Sequence, residues 1–532
     1  MNIINKILYF LSFTAFLAGC STTSSRWSSY DSAPSTTPVQ LLYGSYSEGL
    51  YGTSSEKHNI AVMLPTSGPY ASVGQSIRPA IEAAALKFAP KSLKFNFYDT
   101  GSGDINTTVA NVLDASPDLI IGPVFANNAK ILREQKPSSL PVLSFTSDLS
   151  AVGDGVFSMS LVPTNTAEAL LKTMKADAVQ KFIILAPNNT SGHLMAGATK
   201  AVNSAYNIEN VGVFYYDEKN ADSIKAATLD ASMFNARSAA NTRAKEILSD
   251  ILNNEQLSSD ERAPLVRQLE KIKKRDVLGK LPYDAIVFLG TADDTKSLVS
   301  FLRYYSIGAK DVKLYGTSMW DDTDISSDIT LTDARYATLP QISESFANQY
   351  QVATNTPAPR IAAIGYDATI LAIGALYNED GVNEYLMNPS GYIGANGLFR
   401  LRPNGSNERA LRIVRLNGDG TTTIASSGAT SFSDSMYTYH STVVSPAESM
   451  PLKTDGINPT KYINIPERLR KKYRSKTFGA NQTPTPVTQE TLPQVTVLQN
   501  NSDDFSIKSE TYEPVTLENV TRTYIDSVEV SE

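Results

Sequence analysis

The stretch that decides the fold starts at residue 60 and reads Ile60-Ala61-Val62-Met63-Leu64, then Pro65-Thr66-Ser67-Gly68-Pro69-Tyr70, then Ala71-Ser72-Val73-Gly74. The apolar run has the length of a buried strand, and the proline after it cannot continue a strand's hydrogen-bond ladder. Helical periodicity follows over residues 75–88. A buried strand, a short polar loop and a helix form one βα unit, the building block of an α/β fold.

The same unit recurs along the chain. Strands are predicted at residues 93–99, 119–122, 142–145, 182–186, 211–216, 285–290 and 313–315, and helices at 107–113, 127–135, 194–205 and 294–305. This alternation predicts α/β architecture with parallel, doubly wound sheets. It is too long for one sheet, so we expect two lobes.

Residues 226–280 interrupt the alternation. They are polar and helix-forming, over 235–253 and again over 258–276, and Ser258 is a good N-cap for the second segment. They predict a helical-hairpin insertion in the second lobe. Its role is either that of an ordinary solvent-facing helix pair or that of a partner-binding arm.

The N-terminus has the features of a secretory signal. Lys6 precedes an apolar run over residues 7–16, and Leu17-Ala18-Gly19-Cys20 follows. These four residues resemble the lipobox of bacterial lipoproteins. The resemblance implies that residues 1–20 contain the lipoprotein signal peptide and lipobox, and that Cys20 carries the lipid. The alternative is an ordinary signal peptide with an incidental cysteine. Ser21, which is not Asp, implies by the same resemblance a periplasmic protein anchored to the inner leaflet of the outer membrane.

Low-periodicity segments flank the predicted folded body at residues 58–445. Residues 21–57 are rich in Ser, Thr, Tyr and Gly and predict a flexible tether. Residues 446–532 contain a basic run at 468–476 and a tail that we expect to be disordered from about residue 480. The basic run is suited to anionic glycan, lipid head groups or an acidic partner, or it is simply a solvated run that aids solubility.

Composition excludes several classes of function. A net charge of −7 and a pI near 5.3 argue against nucleic acid as a partner. Cys20 is the only cysteine, and His58, His193 and His440 are far apart, so we expect no metal and no cofactor. Gly-x-Ser-x-Gly, Walker and His-Glu-x-x-His motifs are absent from the sequence, which argues against an enzyme.

Candidate ligand-binding residues follow from the rule that open α/β sheets bind ligands at the carboxyl ends of their strands. The loops and nearby positions there supply Ser67, Tyr70, Phe125, Ala126, Asn127, Thr146, Ser147, Asp148, Asn188, Thr190, Asp294, Trp320 and Tyr366. The same residue types serve equally well in helix caps and turns. The residues alone support ligand binding and a role in caps and turns about equally.

Three stretches resemble the type I periplasmic binding proteins: residues 64–74, residues 118–124, and Gly365-Tyr366-Asp367-Ala368. The resemblance implies a two-lobe clamshell whose lobes close by a hinge motion. It places lobe I at about 58–162 and 318–395, and lobe II at about 163–317 and 396–425.

Two functions compete within this superfamily. One is a solute-binding receptor of an ABC transporter, for amino acids or another small polar ligand. The other is a penicillin-binding protein activator of the LpoA type, a lipoprotein whose C-terminal domain has this fold. Residues 283–290 and 314–318 resemble the activators more closely. Unlike the best-known activators, however, this chain has only residues 21–57 between the predicted lipid site and the clamshell.

The pocket positions implied by the resemblance favour the activator. Ala126 and Asp148 stand where amino-acid receptors hold the ligand carboxylate with hydroxyls, and Val73 stands where an aromatic covers the ligand. An aspartate there would repel a carboxylate. Asp294 matches the acidic residue for a ligand ammonium, or is a helix N-terminal charge. We therefore expect a lipid-anchored clamshell that binds and activates a bifunctional penicillin-binding protein, with peptidoglycan as a further candidate partner.

Overall fold

The computed structural model describes the backbone of residues 40–41 and then residues 56–475 with gaps at 322, 380, 433–443 and 454–455. The predicted signal peptide, Cys20, most of the predicted tether, His440 and residues 476–532 lie outside the described residues. Within the described part, no helix is both long and apolar enough to cross a membrane.

Strands and helices alternate through most of the described chain. In chain order, the strands are β1 Gln40–Leu41, β2 Asn59–Leu64, β3 Lys94–Asp99, β4 Leu119–Ile121, β5 Val142–Ser144, β6 Val156–Ser158, β7 Lys181–Pro187, β8 Glu209–Tyr216, β9 Ala285–Phe288, β10 Lys313–Gly316, β11 Arg335–Thr338, β12 Tyr392–Gly394, β13 Gly397–Leu401, β14 Asn407–Arg409, β15 Arg412–Leu416 and β16 Thr422–Ser426. The helices are α1 Ala71–Phe88, α2 Ile105–Asp114, α3 Ala126–Gln135, α4 Pro163–Ala176, α5 Thr190–Asn203, α6 Ala221–Ser232, α7 Phe234–Asn254, α8 Ser259–Lys273, α9 Ala292–Tyr304, α10 Glu344–Thr354, α11 Arg360–Leu376, α12 Val382–Leu386 and α13 Glu467–Ser475.

Two parallel sheets with the same topology form the two lobes. The lobe I sheet has the order β3-β2-β4-β5-β6, and the lobe II sheet contains β8-β7-β9-β10-β11 in the equivalent order. β15 and β16 extend the lobe II sheet in antiparallel orientation. The central strands are covered on both faces, which explains why their sequences are continuous apolar runs. The predicted doubly wound, two-lobe α/β fold is confirmed.

Helix α11 shows why the Gly-Tyr-Asp-Ala stretch has its sequence. α11 packs along α1, and a Cβ at Gly365 would lie 2.7 Å from Ile77 Cγ2, so only glycine permits this approach. Asp367 is fully buried and accepts a hydrogen bond of 2.7 Å from the Ala395 amide in the turn between β12 and β13. The stretch therefore joins a helix–helix contact to a β-turn within lobe I.

The lobe boundaries differ from those expected at residues 317–318 and 395–396. β11 pairs with β10, so lobe II continues through Thr338. β13 and β14 extend a sheet with β12 and contribute Phe399 and Leu401 to the lobe I core, so lobe I continues past residue 396. The expected boundary was wrong at β11 because this strand was not recognised in the sequence. It has only four residues and begins with Arg335, so it shows no clear apolar run.

Two of the crossovers between the lobes, the segment from β6 to α4 and the segment around Asn407, lie side by side and are hydrogen-bonded to each other. The Asn407 amide, in β14, donates to the Ser160 carbonyl at 2.6 Å, just beyond β6. It also accepts from Asn165, in the first turn of α4, at 2.8 Å. Two parts of the chain that are about 240 residues apart in sequence thus meet where the chain passes between the lobes.

The insertion begins later than residue 226. α6, which covers residues 226–232, contributes Ile224, Ala227 and Ala231 to the lobe II core. Met233, with φ of 51°, then breaks the helix and starts the hairpin of α7 and α8. Ser258 caps α8 in a capping box with Glu261, the N-cap that the sequence predicts.

The folded body does not end at residue 445. Met450 forms an antiparallel bridge with Val213 on β8, and α13 then packs on the hairpin through Leu469 and Tyr473. The predicted solvated run at 468–476 is therefore a docked amphipathic helix over its described part. Its cations hid the buried face, because Leu469 and Tyr473 are only two apolar residues one turn apart.

Residues 40–41 also differ from a structureless tether. Gln40 and Leu41 pair in parallel with Tyr392 and Ile393 of β12. Cys20 and Gln40, the first paired residue, are therefore 20 positions apart, a separation that can span at most about 70 Å.

Candidate functional site: the facing loop edges of the two lobes

Each lobe has one edge where its topology favours ligand binding. In a sheet of this order the first and third strands run side by side but their connections leave in opposite directions, which opens a crevice at their carboxyl ends. In lobe I this crevice lies between the loops after β2 and β4, and in lobe II between those after β7 and β9.

The loop after β2 is organised around a residue that the sequence analysis did not select. Asp99, the last residue of β3, accepts hydrogen bonds from the amides of Thr66 at 2.8 Å and Ser67 at 3.2 Å, and from the Ser67 hydroxyl. Burial favours a higher pKa for Asp99, but the hydrogen bonds from Ser67, Gly101 and Thr66 outweigh it and hold the pKa well below its usual range. The Ser67 hydroxyl therefore already has an acceptor within the protein.

Aromatic side chains meet at the mouth of the lobe I crevice. The Tyr70 and Phe125 rings lie 4.9 Å apart in a tilted arrangement. Ala126 and Asn127 begin α3 next to Phe125, and Asn127 is exposed. This corner offers an apolar contact between two rings and the exposed side-chain amide of Asn127.

Asp148 in the loop after β5 serves the fold. Its carboxylate accepts a hydrogen bond of 2.8 Å from the Ser150 amide and lies 3.5 Å from Lys130 Nζ. Thr146 is buried, and its hydroxyl accepts from the Asp148 amide at 3.1 Å. Ser147 is half-buried beside them. A ligand carboxylate placed here would meet the Asp148 carboxylate, which carries the same charge.

The first lobe II loop is a network of amides and carboxylates. The Asn188 amide donates to Asp217 at 3.0 Å, and its oxygen lies 3.0 Å from His193 Nε2. Asn189 caps α5, whose first residue is the half-buried Thr190, and donates to Glu218 at 3.0 Å. The side chains of Asn188 and Asn189 therefore have partners within the lobe.

Asp294 belongs to a capping box at the start of α9. It accepts from the Thr291 hydroxyl at 2.8 Å, and the Thr291 hydroxyl accepts from the Asp294 amide at 3.2 Å. The buried Tyr216 hydroxyl lies beside it, in the space that a Cβ on Gly290 would need. Burial, together with the charges of Asp294 and Glu218, raises the pKa of Tyr216 well above its usual range.

Carboxylates collect at this lobe II edge. Besides Asp294, they are Asp217 and Glu218, neither of which the sequence analysis selected. Burial and the nearby charge of Asp294 raise the pKa of Glu218, and the Asn189 hydrogen bond only partly offsets this. Both residues directly follow β8, so the end of that strand was the signal that could have identified them.

Two candidates do not reach the crevice. Trp320 is 1 % exposed in the lobe II core and donates to the Thr295 hydroxyl at 3.0 Å. Tyr366 is 2 % exposed in the lobe I core, where its ring packs on Phe346. Their selection as ligand-cleft residues is wrong, because both rings contribute to burying the lobe cores.

A separate cavity lies away from the crevice. It has a volume of about 560 Å³ and runs along α4, with Glu168 and Glu408 among its lining residues and the Asp177–Arg335 ion pair at the start of β11. One Glu168 oxygen is buried without a hydrogen-bond partner among the described residues. Burial, and next the Glu408 charge, raise the pKa of Glu168 to about 7.

Within residues 56–475, gaps excepted, no group of three or more His, Cys, Asp or Glu side chains is placed to hold a metal ion.

The fold and the paired loop edges define a type I periplasmic-binding-protein clamshell. Residues 50–385 match the family model described as "LppC putative lipoprotein". The chain therefore belongs to the LppC lipoprotein family. No curated protein sequence matches the chain.

Solved structures share the fold at low sequence identity. One, described as "a putative branched-chain amino acid ABC transporter" from Rhodospirillum rubrum, is 14 % identical, with 69 % of this chain and 100 % of that chain covered and a TM-score of 0.51. Full-length LpoA from Haemophilus influenzae is 15 % identical, with 70 % and 59 % covered and a TM-score of 0.48. The LpoA C-domain from the same organism, described as a regulator of PBP1A, is 15 % identical, with 69 % and 99 % covered and a TM-score of 0.47.

Proposed function

We propose that this chain is a lipid-anchored, non-catalytic clamshell that binds and activates a bifunctional penicillin-binding protein. The observation that carries the proposal is the state of the crevice. Ser67, Asp148, Asn188 and Asp294 each already have hydrogen-bond or ion-pair partners within their own lobe.

A small polar ligand would have to compete with these internal bonds. An unpaired buried polar group costs roughly 1–3 kcal/mol, so displacing several partners would consume much of the binding free energy of a micromolar ligand. The Asp148 carboxylate adds repulsion for any ligand carboxylate. A scaffold that binds a protein partner through its outer surfaces does not have to break these internal bonds.

The partner class comes from two sources. Membership of a lipoprotein family supports a protein held beside the cell wall. The stretches at residues 283–290 and 314–318 resemble the penicillin-binding protein activators, and they correspond to β9 and to β10 with its following loop in lobe II. Anchorage through Cys20 in the inner leaflet of the outer membrane, with contact to peptidoglycan, forms part of the proposal.

The reach of the anchor bears on where the partner can be. A fully extended stretch from Cys20 to Gln40 spans at most about 70 Å, and β1 then joins lobe I. The proposed anchor thus keeps the clamshell within that distance of a membrane surface, so the partner must also extend into this layer.

The test uses the chain from residue 21 onwards and each purified bifunctional penicillin-binding protein of the same organism. Binding is measured by pull-down, and activation by glycan polymerisation and cross-linking from a labelled lipid-linked substrate. We expect one synthase to bind and to be stimulated several-fold. Asn127→Ala, an exposed change at the lobe I crevice, serves as the matched control and should stimulate equally.

The competing function has its own readout. Calorimetric titration with amino acids should give no heat of binding. Micromolar binding that Asn127→Ala weakens, together with failure to stimulate any synthase, would replace the activator by the solute receptor.

A further inference from the structure

The cations of α13 are largely paired. Arg468 lies 3.0 Å from Glu261, Lys472 lies 2.5 Å from Glu255, and Arg470 lies 2.8 Å from Glu467. The first two pairs join α13 to the α7–α8 hairpin. Arg468 and Lys472 of this basic run therefore form ion pairs with the hairpin, and these pairs help to hold α13 in place.

A second set of cations lies on the outer face of α8 and at its C-terminal end. Arg267, Lys271, Lys274 and Arg275, here called the α8 basic stripe, line a shallow surface depression of about 550 Å³. All four are exposed, and no carboxylate of the described residues lies within ion-pair distance of them. Glu270, in the same depression, pairs with Lys273 at 2.9 Å.

Helix capping explains only part of the stripe. Cations in a last turn interact favourably with the helix dipole, and Lys271 is so placed. Arg267 is two turns from the end, where the dipole gives it little. Like charges at i,i+4, such as Arg267 and Lys271, repel each other. The exposed Val266 beside them adds an apolar contact of the kind a docked peptide would cover.

The stripe stands in the most basic part of the chain. Residues 233–280 and 456–475 together contain sixteen Lys and Arg against eight Asp and Glu, although the whole chain has a net charge of −7. The segment that follows α13 has the opposite character. Residues 477–532 contain nine Asp and Glu against two Lys and Arg.

We propose that the α8 basic stripe is a docking surface for the chain's own acidic C-terminal segment, residues 477–532. Charge complementarity selects an acidic occupant, and covalent attachment selects this one. The proposal is independent of the activator function.

The distances allow this contact. α13 ends near Glu255, at the hairpin turn, and α8 is about 22 Å long. The first carboxylate beyond α13, Glu490, is 15 residues from Ser475, a separation that can span at most about 50 Å. A tethered segment of this reach has an effective concentration in the millimolar range, far above that of a free acidic competitor.

Carbodiimide cross-linking with mass spectrometry tests the proposal, because it joins a carboxylate to a lysine amine without a spacer. The chain from residue 21 to residue 532 is used. We expect Lys271 and Lys274 to give most of the cross-links to carboxylates of residues 477–532, and 0.5 M salt to reduce them several-fold. Lys87, an exposed lysine in the last turn of α1, is the matched reference and should give at most a tenth as many.

Two variants and one mixing experiment complete the test. The double variant Lys271→Gln/Lys274→Gln removes the reactive amines, and Arg267→Gln/Arg275→Gln retains them but weakens the stripe, so the latter should lower cross-linking at Lys271 and Lys274 at least three-fold. Lys87→Gln should leave it unchanged. Cross-links spread over surface lysines according to exposure, or insensitive to Arg267→Gln/Arg275→Gln, would overturn the proposal. So would cross-links that form mainly between isotopically labelled and unlabelled copies.

Discussion

Leu469→Ala should release α13 from the hairpin while both lobes stay folded. Leu469 is 5 % exposed and packs in a cluster with residues of α7 and α8. Truncating a buried leucine costs about 2–5 kcal/mol. At about 3 kcal/mol the docked population falls roughly a hundred-fold or more relative to the undocked one.

The remaining contacts cannot compensate for this loss. The ion pairs of Arg468 and Lys472 have cation side chains that are 49 % and 53 % exposed, and such pairs contribute about 0–1 kcal/mol each. The cost falls on local docking because α13 follows the strand bridge at Met450 and is not part of either lobe sheet.

Hydrogen exchange with mass spectrometry is the assay. We expect the amides of residues 467–475 to lose protection by about two orders of magnitude and those of β2 and β7 to keep theirs. Arg470→Ala, in the same helix and with a 59 % exposed side chain, is the control and should change protection by less than two-fold. Equal protection in Leu469→Ala and the control would refute the packing argument. Loss of protection in β7 would show instead that α13 is integral to lobe II.

Further predictions concern carboxylates whose pKa values the fold shifts. Asp99→Asn should lower the free energy of unfolding at pH 7 by about 2–4 kcal/mol, because the carboxylate accepts charge-assisted bonds from Ser67 and neighbouring amides. Because the folded-state pKa of Asp99 is lowered, its contribution is fully present above about pH 4 and is lost as the pH falls below that value. Denaturant titrations from pH 5 down to pH 2 should show this slope in the parent and not in the variant. The contribution of Glu168 to stability depends on pH with the opposite sign. Its folded-state pKa of about 7 exceeds the usual 4.5, so its ionisation lowers the free energy of unfolding as the pH rises from about 4.5 to 7. Glu168→Gln should remove that loss, and a parent whose stability does not fall in this window would contradict the assignment. Asp367, with a pKa raised to about 7 by burial, should show the same sign in thermal unfolding, and Asp367→Asn should flatten its share of the decline.

Much of the fold was predictable because its signals are local. Strands such as β2, β4 and β9 are short apolar runs, and both faces of a parallel sheet demand this composition. Ser258 predicted the start of α8 because an N-cap side chain bonds to amides within the next few residues. The signal features around Cys20 are local too, and they remain a prediction since they lie outside the described residues.

The candidate site was less predictable, because the tertiary structure decides which hydroxyls and carboxylates are already hydrogen-bonded within the protein. Ser67 and Asp99 are 32 residues apart in sequence and share a hydrogen bond. Sequence spacing located the loop but could not reveal that its serine was already engaged. Tyr366 and Trp320 failed for a related reason, since a large ring beside a loop can point into the core as easily as into a crevice.

The sequence by itself determined the α/β class, the two lobes, the helical hairpin and the acidic and basic segments of the chain. These follow from hydrophobic period, capping residues and charge, which act over a few neighbours. Only the tertiary structure decided where lobe I gives way to lobe II, that α13 docks on the hairpin, and that the four cations of the α8 basic stripe have no ion-pair partner within the described chain. Such outcomes depend on which distant residues meet, as Arg468 meets Glu261 across 207 positions, and local patterns do not encode that choice.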